Sequence, residues 1–160
     1  MSSIVVGVDR SETARRAADI AAEMASVLGA DLHLVMCAER ERGIDLKVGG
    51  DSFHSDWLAD ADEFLSELAR QLPHGGITTS VGQGDPATAI CDEAERLDAR
   101  LIVIGNKRVQ GLARVLGSVA GDVMKHAHCD VYVANTRADH LRSPAPVQHS
   151  ACSAQRLFSR

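Results

Sequence analysis

The chain has 160 residues, 45% hydrophobic and 24% charged, with a formal net charge of −5; that is room for one domain and a sizeable core. From residue 136 onward four arginines (Arg137, Arg142, Arg156, Arg160) stand against one acid, Asp139, so that end carries +3 and the rest −8. An acidic body does not wrap a nucleic-acid backbone, and no apolar run approaches the length that spans a bilayer.

"SIVVGV" (3–8) is a continuous apolar run ending at Asp9, the pattern of a strand buried on both faces. Ala14, Ala17, Ala21, Met24 and Leu28 then recur three or four apart and stop at Gly29, which predicts an amphipathic helix with Ser11 able to cap its start. "DLHLVMC" (31–37) reads as a second strand, and the polar, glycine-rich residues 39–50 as a loop. Trp57, Leu58, Ala61, Leu65, Leu68 and Leu72 repeat at helical spacing up to Pro73. "ITTSVG" (77–82) is a short strand, and Asp85-Pro86 opens a third helix whose apolar face is Ala87, Ile90, Cys91, Ala94 and Leu97. "LIVIG" (101–105) and "DVYVAN" (130–135) are strands, with a helix between them opening near Ser118 and burying Val119, Val123 and Ala127.

Strands alternating with helices predict an α/β domain with a parallel sheet over residues 1–135. Residues 136–160 have little apolar periodicity and are expected to form a flexible tail. No signal peptide is visible, and Cys37, Cys91, Cys129 and Cys152 form no C-x-x-C and no metal-like pairing with histidine, so free thiols in a reducing cytoplasm are expected.

The chemistry gathers at two strand ends. Ligands of open parallel sheets sit outside the carboxyl ends of the strands, where the winding reverses. Asp9 ends the first strand; Gly105 ends the fourth and begins "GNKRVQGLARVLGS". The Gly117-Ser118 pair places backbone N–H groups and a hydroxyl at a helix start, an arrangement that binds phosphate.

"VVGVDRSETARRA", "GDPATAI" and "VIGNKRVQGLARVLGSVAGDVMKHAHCDVYV" together resemble a universal stress protein domain over about residues 3–135. The resemblance implies a Rossmann-like five-stranded parallel sheet of order 3-2-1-4-5 with helices on both faces. It also implies a stress-response role, a dimer, and binding of ATP, with or without Mg2+; in that strand order residues 130–135 form an apolar edge, which predicts a homodimer through them. Residue by residue it assigns Val8 and Asp9 near the adenosine, the Met36 backbone at adenine, and Gly105, Gly117, Ser118 and Val119 around the phosphates. Its glycine motif G-x2-G-x9-G-(S/T) departs here to G-x2-R-x8-G-S: Arg108 stands at the second glycine, and Gly111 is left to supply backbone freedom. Arg108 either obstructs the nucleotide or clamps its phosphates as a guanidinium.

Each assignment has a plainer counterpart. Asp9 can cap the following helix, Met36 can be core, and Ser118 can be the N-cap of its helix. Lys107 and Arg114 read as a solvated face. His126 and His128 sit where a helix dipole favours cations, and His33 alternates with apolar neighbours on a sheet face. No Ser/His/Asp set, paired carboxylates or G-x-x-x-x-G-K-[ST] appears, so any ATP hydrolysis is expected to be slow. The alternative function is a dimerising interaction module without nucleotide. A hydrolase of the wider adenine-nucleotide type lacks a second substrate site.

Overall fold

The structure is a computed structural model that describes residues 2–38, 57–106 and 117–136. The expected loop at 39–50, Lys107, Arg108, Gly111, Arg114 and the tail beyond Thr136 lie outside the described residues. The described elements run β1 (Ser3–Val8), α1 (Glu12–Leu28), β2 (Asp31–Ala38), α2 (Trp57–Gln71), β3 (Ile77–Gln83), α3 (Pro86–Arg96), β4 (Leu101–Gly105), α4 (Ser118–His126) and β5 (Asp130–Ala134). The strands form one sheet of order β3-β2-β1-β4-β5, every neighbouring pair parallel. β3 runs one residue past its expected end, because Gln83 still pairs with Ala38.

Strand alternation sorts the core into two layers. Ile4, Val6, Val8, Leu32, Leu34, Met36 and Val103 face α1 and α2, with Trp57 and Phe64 packed at the margin. Val5, Val35, Ile102 and Ile104 face α3 and α4 through Ala87, Ile90, Ala94, Ala120 and Val123. Six alanines of α1 (14, 17, 18, 21, 22 and 25) make its buried face, so the helix lies close on the sheet. Leu28, expected on that face, is 63% exposed. The chain reverses at Gly29 in the left-handed region (φ 62°), and Ala30 rather than Leu28 closes that end of the core. The caps follow the sequence: Ser11 Oγ accepts from Ala14 N–H, and Asp85 Oδ1 accepts from Thr88 N–H at 2.9 Å, with Pro86 opening the helix.

Candidate functional site

With α1 and α2 on one face of the sheet and α3 and α4 on the other, the winding reverses between β1 and β4. Register aligns Val8 with Met36 and Gly7 with Ile104, so Val8 and Gly105 end adjacent strands on one rim, with Met36 beside Val8 two residues before the end of β2. Val8 and Met36 have buried side chains, which leaves their backbones to line the rim. Asp9 follows at the surface, and its Oδ1 accepts the Ser11 N–H at 2.8 Å. The plainer reading of Asp9 is thereby present: it braces the start of α1.

Gly105 is glycine for a packing reason. A Cβ there would lie 2.9 Å from the Thr13 carbonyl oxygen and 3.0 Å from its methyl, so β4 ends hard against the first turn of α1. The next residue, Asn106, holds a buried amide oxygen without a hydrogen-bond partner among the described residues. Its backbone is fixed on both sides: its N–H donates to Ala134 O at 3.3 Å, and its carbonyl accepts from Thr136 Oγ1 at 3.4 Å. Arg16, half-buried and paired with Glu12, donates through Nη1 to the Thr136 carbonyl at 2.8 Å. Sequence reasoning passed over Asn106 and Arg16. Neither carried a distinguishing signal in the sequence, an amide after a strand being an ordinary loop residue.

α4 begins on the same rim, since it leads from the end of β4 back to the start of the parallel β5. Its N-cap is Gly117, not Ser118, and no side chain among the described residues caps it. Ser118 is therefore the first helical residue, and it is exposed; Val119 is half-buried against the second core layer. α1 and α3 both have side-chain caps. Gly117 has an ordinary φ of −59°, and a Cβ there would meet nothing within 4 Å among the described residues. Neither backbone strain nor packing against the described residues accounts for this glycine.

At the opposite, amino-terminal rim lies a polar cluster the sequence did not announce. His33 is 4% exposed, on the α3 face of β2. Its Nε2 lies 2.8 Å from Glu93 Oε1 and 2.9 Å from Ser80 Oγ, and its Nδ1 lies 2.6 Å from Thr78 Oγ1. Arg96 holds Glu93 with two bonds, Nε to Oε2 at 2.9 Å and Nη2 to Oε1 at 2.6 Å. These, with a bond from the Ser80 hydroxyl, bring the Glu93 carboxyl down to about 2. Burial lowers the His33 pKa, outweighing Glu93, so His33 is neutral. An ionised Glu93 can only accept, which puts the ring proton on Nε2 and leaves Nδ1 to accept from Thr78 O–H.

The other flagged side chains are structural. His126 Nδ1 lies 2.8 Å from the Asp122 carbonyl in the last turn of α4, the helix-end position expected of it. Cys37 Sγ donates to the Gly84 carbonyl at 3.1 Å; burial pushes the thiols of Cys91 and Cys129 up, which keeps them protonated and poor nucleophiles. No helix among the described residues is long and apolar enough to cross a membrane.

The universal stress protein family model matches residues 1–135. A universal stress protein of Methanocaldococcus jannaschii is 32% identical over 135 residues, covering 81% of this chain and 79% of its own. Among solved structures, a universal stress protein in complex with cAMP superimposes with a TM-score of 0.61 at 25% identity, over 85% of this chain and 98% of its own. The universal stress protein from Archaeoglobus fulgidus in complex with dAMP gives 0.58 at 29% identity, over 84% and 98%.

Proposed function

The chain belongs to the universal stress protein family, and from that premise we propose that it binds an adenine nucleotide, ATP foremost, at the β1–β4 rim and serves in the stress response as a cytoplasmic homodimer. The observation that carries this is the Asn106 amide oxygen beside Gly105, buried and without a partner among the described residues. A buried acceptor without a partner costs about 1–3 kcal/mol, and a ribose hydroxyl or adenine amine would remove that cost. The start of α4, without a side-chain cap or a neighbour at the Gly117 Cβ position among the described residues, suits phosphate. The ligands of the two solved relatives, cAMP and dAMP, are adenine nucleotides, which supports the class. Asp9, the backbones of Val8 and Met36, Gly111, Arg108, Ser118 and Val119 complete the proposed site.

Calorimetric titration with Mg-ATP, cAMP and dAMP tests the reading. Wild type is expected to bind, and Gly117→Asp to lose binding while remaining folded, because its carboxylate takes the phosphate's place. No heat from wild type up to millimolar nucleotide overturns it and leaves the interaction module.

Dimerisation is supported by a separate observation. β5 is an edge strand of five residues with Tyr132 42% exposed, and such edges pair. We assign the dimer contact to antiparallel pairing of residues 130–135 about a two-fold axis. Among the described residues, the thiols of Cys91 and Cys129 are unpaired, which suits the cytoplasm. The domain boundary proposed at residue 135 is tested by deleting residues 138–160, which should leave the melting temperature nearly unchanged.

A further inference from the structure

The cluster around His33 has the parts of a nucleophilic relay. Thr78 faces His33 directly across the β2–β3 register, and Glu93 reaches the far side of the imidazole from α3. A hydroxyl donates to one ring nitrogen while a carboxylate accepts from the other, the order in which a base is oriented to activate a nucleophile. Glu93 is itself held by Arg96 and Ser80, which fixes the tautomer. The buried base contrasts with an exposed nucleophile: Thr78 is open to solvent.

That exposure leads into a hollow of about 400 Å³ whose lining includes His33, Thr78, Asp31, Gly75, Gly76 and Leu97. It lies at the amino-terminal rim, away from the β1–β4 rim, and does not depend on nucleotide binding. We propose that Thr78, His33 and Glu93 form an acyl-transfer site, in which the Thr78 hydroxyl takes the acyl group of a small neutral ester. The lining selects that class. Among the described residues its lining holds the Asp31 carboxylate and no lysine or arginine, and the nearby Arg96 is paired with Glu93, so it disfavours phosphate and carboxylate donors.

In the step, Thr78 Oγ1 attacks the ester carbonyl carbon as His33 Nδ1 takes the hydroxyl proton. The carbon–oxygen bond to the leaving alcohol breaks, and the alcohol departs with that proton from Nδ1. Water then attacks acyl-Thr78, giving its proton through Nδ1 to Thr78 Oγ1 and releasing the acid. The net reaction is ester plus water to acid plus alcohol. Thr78 and His33 are the catalytic residues; Glu93 positions the ring.

The test exposes the full chain to p-nitrophenyl acetate, follows nitrophenolate release, and maps the acetyl group by peptide mass. The expected result is acetyl on Thr78, retained in Thr78→Ser and absent from Thr78→Val, with release in Thr78→Val reduced by a factor on the order of one hundred. Thr78 is exposed, so both variants should fold; a thermal melt checks this. Around His33 the facing groups are the Thr78 and Ser80 hydroxyls from β3, Glu93 and Arg96 from α3, and Asp31 on its own strand. Acetylation should rise with pH through a midpoint below 6.5, the ordinary histidine value, and Glu93→Gln should move that midpoint lower by removing the charge that favours imidazolium. Acetyl only on lysines or the amino terminus, no acetyl at all, or equal release by Thr78→Val each overturns the proposal.

Discussion

The carbonyl oxygen of Thr13 sits 2.9 Å from where a Cβ on Gly105 would project, so the last residue of β4 and the first turn of α1 share one space. Gly105→Ala should therefore destabilise the fold by about 1–3 kcal/mol through overpacking, read from the urea midpoint. Gly7→Ala should cost less, although its Cβ would come within 2.4 Å of Ile90 Cδ1, because that atom ends a side chain that can turn away.

Asn106→Leu separates stability from binding. Removing an unpartnered buried amide should leave the free protein as stable as wild type or raise it by up to about 1 kcal/mol. The melting shift caused by nucleotide, equivalent to about 2.7 kcal/mol at a hundred times the dissociation constant for wild type, should shrink. Equal shifts for the two proteins would remove Asn106 from the site.

Arg108 decides between clamp and obstruction. We expect Arg108→Gly to lower ATP affinity, most at low salt where the charge is least screened. Raised affinity would make it an obstruction. Ser118→Ala should weaken binding by about 1 kcal/mol; its direct effect on the helix is smaller than expected of an N-cap, since Gly117 holds that position.

Acid should unfold the protein through the His33–Glu93–Arg96 cluster. Glu93 falls from 4.5 in the unfolded chain to about 2 when folded. Its contribution, on the order of 2–3 kcal/mol, is present above about 4.5 and lost as pH falls toward 2. His33 has a lowered folded pKa, so below 6.5 the unfolded chain gains a proton that the folded one refuses, and stability falls in the same direction. Urea melts between about pH 7 and about pH 3 should show this decline, with a flatter lower limb in Glu93→Gln.

The edge strand provides an assembly test. Light scattering at micromolar concentration should report twice the 17.1 kDa chain mass for wild type. Val133→Lys should shift it toward the monomer while keeping the circular-dichroism spectrum.

The fold was legible because its code is local. Four-to-eight-residue apolar runs, alanines at helical spacing and the Asp85-Pro86 start each name an element within a few residues. The rim was half legible: Asp9, Gly105 and Gly117 stand at element ends, where sequence signals are sharp. The Ser118 cap was misplaced by one residue because glycine and serine both suit that position. Asn106 looked like any loop amide, since only burial makes its oxygen an orphan. Thr78, His33 and Glu93 were illegible as a set; they come from three elements, and only β-register and the docking of α3 bring them together.

Trp57, the sole tryptophan, packs at the margin of the layer formed by α1 and α2. Its emission is therefore an optical reporter of that layer alone, blind to α3 and α4. Far-ultraviolet ellipticity averages over both. If the two signals lose amplitude at the same denaturant concentration, the layers unfold as one cooperative unit; if fluorescence moves first, the alanine-faced side peels from the sheet while the other holds.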